Sequence, residues 1–298
     1  MSFRANLAVG AAGIFLCLAT AGAGQACSLS LQPSQDSWTI RYDPFAQDAT
    51  QNQFDVAVVN QGDVRCSGTI RVDLSGEEYG LRMAGAPGRI PYALIDERDG
   101  ADLTPRAGLN ARRINAQPVA LEPGERSLLR FTFVTAPGEV PAQGLHVQNA
   151  RIALEDGSGV IVGERPLTLA LDVVPAAVLG LKGEFQRSNG VARIDLGELT
   201  PGPKPLSAAL YVLSTGGYRV SVGSANGGRL RMGATDWYVD YELEVGGHRM
   251  DLASPDGFEV VSRRARADDY PLSVRIGDVA GRRAGEYTDV ITFTVAAL

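Results

Sequence analysis

Apolar and polar residues alternate along most of the chain in short runs, and a period of two is the pattern of a β-strand with one buried face. The clearest run is "VITFTV", in which Ile291, Phe293 and Val295 share one side and Thr292 and Thr294 the other. No segment of useful length has the 3.6-residue period of an amphipathic helix. The pattern therefore predicts an all-β protein.

Turn signals such as "NQGD", "EPGE", "APGE" and "EDGSG" separate the predicted strands. Spacings of about eight to twelve residues between such turns are typical of a β-sandwich. The strands fall into two groups, and the length of the chain suits two domains. We therefore predict two immunoglobulin-like Greek-key β-sandwich domains, over residues 24–174 and 175–298.

The two groups echo each other. The first contains "YGLRM" followed by "IPYALIDERDG", and the second contains "GRLRM" followed by "VDYELEVGGH". Late in the first group, "QGLHVQNARIAL" takes the position of "AGEYTDVITFTV" in the second. Another alternating strand, "PLTLALDVV", then follows in the first group, and none follows in the second. We expect the second domain to lack its last strand; the alternative is that residues 296–298 simply end a complete domain.

Composition narrows the function classes. Charged residues make up 21% of the 298 residues and hydrophobic residues 45%, which suits a globular chain. The formal net charge of −6 and the lack of a basic cluster argue against nucleic acid as a partner. His146 and His248 are the only histidines, and no nucleophile elbow or metal-ligand spacing occurs. We therefore expect no enzyme, no cofactor and no metal site.

The beginning of the sequence has the features of a secretory signal peptide, predicted over residues 1–23. Arg4 is basic, residues 7–18 are apolar, and Ala21 and Ala23 form an A-x-A site, with cleavage after Ala23 or Ala26. The apolar run is too short for a membrane span, and no later stretch is long enough. We expect an exported protein with no transmembrane segment.

Cysteine usage fits export. Cys17 is removed with the signal peptide, which leaves Cys27 and Cys66. Two cysteines in an oxidising compartment predict one disulfide bond. Closing a loop of about 40 residues stabilises a fold by roughly 4 kcal/mol in the chain-entropy model.

The stretch "AGEYTDVITFTV" resembles the C-terminal ending of spore coat protein U-like domains, the pilin domains of archaic, Csu-type chaperone–usher pili. The matching positions are Gly285, Tyr287, Asp289, Ile291, Phe293 and Val295. In the first half, the family pattern is matched by Cys27, Tyr42, Phe45, Cys66, Tyr92 and Leu94. The second half lacks the disulfide of many such domains, and "GLHVQN" in the first half lacks the Tyr and Asp of the ending.

The resemblance implies assembly by donor-strand complementation. A periplasmic chaperone lends a strand to the incomplete domain, and an outer-membrane usher exchanges it for the donor segment of the next pilin subunit. The expected acceptor groove lies between Ile291, Phe293 and Val295 on the closing strand and Val178 and Leu181 on the first strand of the domain.

The resemblance also implies a place in the fibre. Ordinary pilins carry a donor segment ahead of the first cysteine, whereas Cys27 follows the predicted cleavage site within about four residues. We therefore expect a two-domain tip adhesin of a fimbria at the cell surface, which mediates surface attachment or biofilm formation.

Three alternatives remain: a periplasmic pilus chaperone, a secreted coat protein that does not polymerise and, least favoured, an enzyme. Candidate adhesive positions are the aromatic residues Trp38, Tyr42, Phe45 and Trp237. Each of them also suits a hydrophobic core. Residues 85–118 and 136–144 are candidate tip loops.

Overall fold

The structure is a computed structural model that describes residues 27–33, 35, 37–46, 51–74, 76–105, 117–135 and 137–298. The predicted signal peptide lies outside the described residues. The prediction of an all-β fold with two domains is confirmed. The described part of the chain has no helix long and apolar enough to span a membrane.

The described residues of the first domain form ten strands. They are β1 (Leu29–Pro33), β2 (Ser37–Tyr42), β3 (Gln51–Asn60), β4 (Cys66–Asp73), β5 (Tyr92–Asp96), β6 (Ala101–Asp102), β7 (Val119–Leu121), β8 (Arg126–Thr135), β9 (Gly144–Glu155) and β10 (Ile161–Val173). They form two sheets, with the strand orders β1-β3-β8-β5-β6 and β2-β10-β9-β4-β7. Neighbouring strands are antiparallel, except that β2 runs parallel to β10.

The core of the first domain lies between these two sheets. Trp38 is fully buried and stacks on Phe54, with ring centroids 5.1 Å apart. The inward side chains of β10 complete the core: Leu167, Leu169, Leu171 and Val173, each at most 2% exposed. A disulfide bond joins Cys27 to Cys66, the pair expected from the sequence. It ties the residues ahead of β1 to the start of β4.

The second domain contains eleven strands. They are β11 (Ala177–Gly183), β12 (Gln186–Ser188), β13 (Val191–Arg193), β14 (Gly202–Ser214), β15 (Tyr218–Ser224), β16 (Arg229–Arg231), β17 (Tyr238–Val245), β18 (His248–Met250), β19 (Asp256–Val260), β20 (Arg266–Ile276) and β21 (Ile291–Ala297). The larger sheet has the order β11-β14-β20-β17-β16, and β18 pairs with β17. The smaller sheet has three strands, in the order β19-β15-β21, and β12 pairs with β13 as a separate hairpin.

Strand boundaries depart from the sequence prediction in the second domain. The charged sequence "SRRARADD" covers residues 262–269, yet β20 begins within it, at Arg266. Asp268 in this strand accepts hydrogen bonds from Arg266 Nε and from the hydroxyl of Tyr218, both at 2.6 Å. Charged residues therefore begin this strand because they have partners in the fold.

The predicted boundary at 174/175 falls between β10 and β11, where hydrogen bonds join the two domains. Thr215 is fully buried, and its hydroxyl accepts a hydrogen bond from Ala176 N and lies 3.1 Å from Val174 O. Gln143 of the first domain donates its backbone N–H to Thr215 O. Its side-chain Nε2 also donates to Leu298 O at 3.2 Å. The end of β21 is thus close to the first domain.

Candidate functional site: the open edge of β21

Two backbone contacts establish which strands of the two domains correspond. In the first domain Arg82 exchanges backbone hydrogen bonds with Val147, and in the second Arg231 exchanges them with Thr288. Both arginines belong to the Leu-Arg-Met sequences that echo each other. Counting from these contacts aligns Ile152 of β9 with Phe293 of β21.

Other strand pairs give the same alignment. Val72 pairs with Ile152 in the first domain, and Val222 pairs with Phe293 in the second. Leu94 of β5 pairs with Phe133, as Leu243 of β17 pairs with Val274. The alignment matches Gly285, Tyr287 and Asp289 with Gly144, His146 and Gln148. The first domain therefore has a complete counterpart of the C-terminal ending, built from different side chains.

The corresponding strands β9 and β21 differ in their neighbours. β9 pairs with β4 on one edge and with β10 on the other. β21 pairs with β15 on one edge, and no described residue pairs with its other edge. Among the described residues, the second domain thus has no counterpart of β10.

The unpaired backbone groups of β21 belong to alternate residues. Ala225 N donates to Val290 O and Leu298 N donates to Gly217 O, so even-numbered residues face β15. The N–H and C=O groups of Ile291, Phe293, Val295 and Ala297 consequently point to the open edge. A row of such groups is a template for pairing with another strand.

The side chains of the same residues form an apolar face. Ile291, Phe293 and Val295 are half-buried and pack against the core of the second domain. Their counterparts in β9 include Ile152 and Leu154, which are at most 1% exposed. Covering by an additional strand is the difference between these two environments.

β11 carries Val178 and Leu181, the two residues that the sequence predicts for the other wall of a groove. Val178 and Leu181 lie on opposite faces of β11, because an odd number of positions separates them. Leu179 and Leu181 pack against the core, whereas Val178 does not. Leu179 therefore shares the inward face of β11 with Leu181.

The strands β11 and β21 lie near each other without pairing. In the first domain the corresponding neighbour of β1 is β10. β11 thus lies beside the open edge of β21, on the side that β10 occupies in the first domain.

The residues of the C-terminal ending make the same kinds of contact as their counterparts in the first domain. A Cβ atom on Gly285 would lie 2.5 Å from Cε of Met232, and one on Gly144 would lie 3.3 Å from Sδ of Met83. The hydroxyl of Tyr287 donates to Arg283 O, as Nε2 of His146 bonds to Ala142 O. In each case the partner lies four residues earlier in the chain.

Asp289 makes the most hydrogen bonds of the three ending residues. Its Oδ1 accepts from the backbone N–H groups of Asn226 (3.0 Å) and Val290 (2.7 Å). Its Oδ2 accepts from the hydroxyls of Ser224 (2.5 Å) and Tyr241 (2.6 Å). Burial, and secondly the hydrogen bond to Asp289, raise the pKa of Tyr241 well above its usual value, so this hydroxyl stays protonated and donates.

The candidate adhesive residues are dispersed. Trp38 is a core residue, and Tyr42 packs against the same core. Phe45 is half-buried, and Trp237 is 38% exposed in the second domain. The described part of 136–144 leads to the domain junction through Gln143, so it does not form a tip loop. Within 85–118, residues 106–116 lie outside the described part.

The acidic and histidine side chains of the described residues are dispersed and do not form a metal-binding cluster. In the described part of the chain no group of three or more His, Cys, Asp or Glu side chains could hold a metal ion. His248 stacks on Phe258, with ring centroids 4.6 Å apart. His146 is buried, and its Nε2 bonds to a backbone carbonyl oxygen at 2.8 Å.

Comparison with known proteins gives structural matches only. No family model matches the chain, and no curated protein does. A chain of the CsuC–CsuE chaperone–tip subunit complex from Acinetobacter baumannii is similar to it, with 12% identity and a TM-score of 0.45 over 91% of this chain and 99% of that one. The CupB6 tip adhesin from Pseudomonas aeruginosa matches with 12% identity and a TM-score of 0.36, over 90% and 95%. CfaE, the adhesive subunit of CFA/I fimbriae of enterotoxigenic Escherichia coli, matches with 10% identity and a TM-score of 0.34, over 90% and 81%.

Proposed function

We propose that this protein is an adhesin subunit of a Csu-type chaperone–usher fimbria whose second domain accepts a strand from a partner. The open edge of β21 is the observation that carries the proposal. It combines four outward N–H groups with an apolar face of Ile291, Phe293 and Val295. Backbone pairing supplies affinity in such strand addition, and alternate side chains supply specificity.

The first domain indicates what the accepted strand must look like. β10 runs antiparallel to β9 and contributes an apolar side chain at every second position from Leu167 to Val173. A partner strand with this alternation would bury four aliphatic side chains in the second domain. Their burial contributes roughly 6–12 kcal/mol before the cost of ordering the strand.

The proposal gives the two domains different roles. The first domain has its own β10 in place, so its surface is available for attachment. The second domain receives a strand first from a periplasmic chaperone and then, at the usher, from the next subunit. Signal-directed export, the position at the fibre tip and a role in biofilm formation belong to the proposal. An open strand edge also distinguishes it from a pilus chaperone, whose two domains are complete.

The proposal is tested by supplying the strand in the same chain. A copy of "PLTLALDVV" is joined after Leu298 through a flexible Gly/Ser linker in the exported protein. We expect the thermal unfolding midpoint of the second domain to rise by more than about 5 °C, the shift that about 1 kcal/mol produces in a domain of this size. The matched control carries aspartate in place of the three leucines of the added copy. Equal midpoints for the two fusions would contradict the proposal.

A further inference from the structure

The Asp289 clamp, defined as Asp289 with Ser224, Asn226 and Tyr241, connects the two sheets of the second domain. Ser224 ends β15 of the three-stranded sheet, and Asp289 lies two residues ahead of β21, beside the bridge between Thr288 and Arg231. Tyr241 lies on β17 in the larger sheet and is only 8% exposed. One carboxylate thus ties both sheets at the end of β21 where the strand begins.

The corresponding residues of the first domain do not form this connection between the two sheets. Tyr92 and Gln148 correspond to Tyr241 and Asp289, and both are buried. The hydroxyl of Tyr92 and Oε1 of Gln148 have no hydrogen-bond partner in the described part of the chain. The amide nitrogen of Gln148 donates instead to Glu77 Oε2 at 2.8 Å.

The first domain has the closing strand β10 but no clamp, whereas the second domain has the clamp but no such strand among the described residues. In the first domain β10 fills the gap beside β9, and its four inward side chains hold the two sheets together. In the second domain no described strand fills that gap, and the clamp joins the sheets at one end of it. A carboxylate that accepts four hydrogen bonds is a stronger connection than a neutral amide.

We propose that Asp289 is a positioning residue that holds the two sheets in register while the gap is empty and so keeps the edge of β21 ready for an incoming strand. This inference rests on the proposed function. Once a strand is in place, it supplies the cross-sheet contacts itself, as β10 does. Loss of the clamp should therefore slow strand capture far more than it weakens the filled state.

The test measures both rates of strand binding on the full exported chain. The probe is a fluorescently labelled peptide with the sequence "PLTLALDVV", added to wild type and to Asp289→Ala, Asp289→Asn and Tyr241→Phe. For Asp289→Ala we expect the association rate constant to fall more than about tenfold, the scale set by hydrogen bonds to a charged group. Its dissociation rate constant should change less than about twofold, since the filled state no longer depends on the clamp.

Two conservative variants distinguish a loss of the clamp from unfolding of the second domain. Asp289→Asn keeps the shape and one acceptor oxygen, and Tyr241→Phe removes a single hydroxyl, so both should give intermediate association rates with native near-ultraviolet circular dichroism. The matched control is Tyr92→Phe in the first domain, which removes a hydroxyl that has no hydrogen-bond partner among the described residues. It should leave both rates unchanged.

The outcomes separate the two proposals. Peptide capture by wild type with unchanged association rates in Asp289→Asn and Tyr241→Phe would overturn the clamp and leave strand acceptance standing. Equal losses in association and in the lifetime of the filled state would also overturn it, because an ordinary structural residue acts on both. No capture by wild type would overturn the proposed function and the clamp together.

Discussion

The strands β9 and β21 occupy corresponding positions in two domains of one chain, and among the described strands only β9 has neighbours on both edges. With β10 beside it, the inward face of β9 is almost completely buried; without such a strand, the inward face of β21 stays half-buried. Burial alternates with a period of two along most of both strands, although the inward face of β9 includes the polar residues His146 and Gln148. The difference in the depth of burial therefore lies in the neighbouring strands.

The largest difference is expected when a charge is placed on each inward face. Ile152→Asp introduces a carboxylate into a fully buried position, which costs several kcal/mol and should unfold the first domain. Phe293→Asp should destabilise the empty second domain less, because this position is half-buried, yet it should abolish co-purification with a periplasmic chaperone. Chemical denaturation and co-expression measure the two effects.

The exposed loop variant Arg264→Ala is the control for both substitutions and should behave as wild type. Normal assembly of Phe293→Asp would show that β21 does not border an acceptor groove.

Separating the domains should reveal the same asymmetry. Residues 24–174 contain β10 and should fold as a stable monomer, whereas residues 175–298 should aggregate or unfold, because the edge and apolar face of β21 have no cover. Size-exclusion chromatography and thermal melts of the two fragments test this expectation. A cooperatively melting, monomeric 175–298 fragment would mean that the second domain needs no further strand.

The disulfide bond should stabilise the first domain selectively. Replacing Cys27 and Cys66 by alanine removes a cross-link between residues 39 positions apart. The expected loss is about 2–4 kcal/mol in the free energy of unfolding of the first domain. The second domain contains neither cysteine, so its unfolding transition should stay unchanged in the same denaturant titration. An equal loss in the free energy of unfolding of the second domain would contradict the presence of two independent cores.

The smallest expected effect concerns the pH dependence of the second domain. Hydrogen bonding from Arg266, and secondly from Tyr218, holds the pKa of Asp268 below its usual value, although burial acts in the opposite direction. A lowered pKa in the folded state stabilises the fold above the unfolded-state pKa of about 3.9 and loses this contribution as pH falls through the folded-state pKa.

Asp268→Asn should therefore reduce stability near pH 7 and have little effect near pH 2, as measured by thermal melts across pH. The corresponding residue of the first domain is Ser127, so the first domain should not show this difference. A stability loss in Asp268→Asn that is equal at both pH values would contradict the assigned cause.

Much of the fold follows from the alternation of apolar residues, because patterns such as "SWTIRY" and "YRVSVGS" have one clear inward face. Short or charged strands were not predicted: β7 has three residues, and β19 has the sequence "DGFEV". Val178 was assigned to the groove because both faces of "AVLGLKG" carry aliphatic residues. Counting in steps of two from Leu181 would have selected Leu179 instead.

The candidate site was predictable only in part. The apolar face of β21 is visible in the sequence, since its residues alternate locally. The role of Asp289 is not visible, because its partners Tyr241 and Ser224 lie 48 and 65 residues earlier in the chain. Such contacts depend on the packing of two sheets, which a local pattern does not describe.

The open edge of β21 is tested most directly by residue-resolved amide hydrogen exchange on the full exported chain. The account predicts alternating protection in β21: slow exchange at Thr292, Thr294 and Ala296, which face β15, and fast exchange at Phe293 and Val295. In β9 the amides of successive residues from Arg151 to Leu154 should all be protected, because both edges are paired there. Uniform protection along β21 in the absence of a partner strand would contradict an open edge.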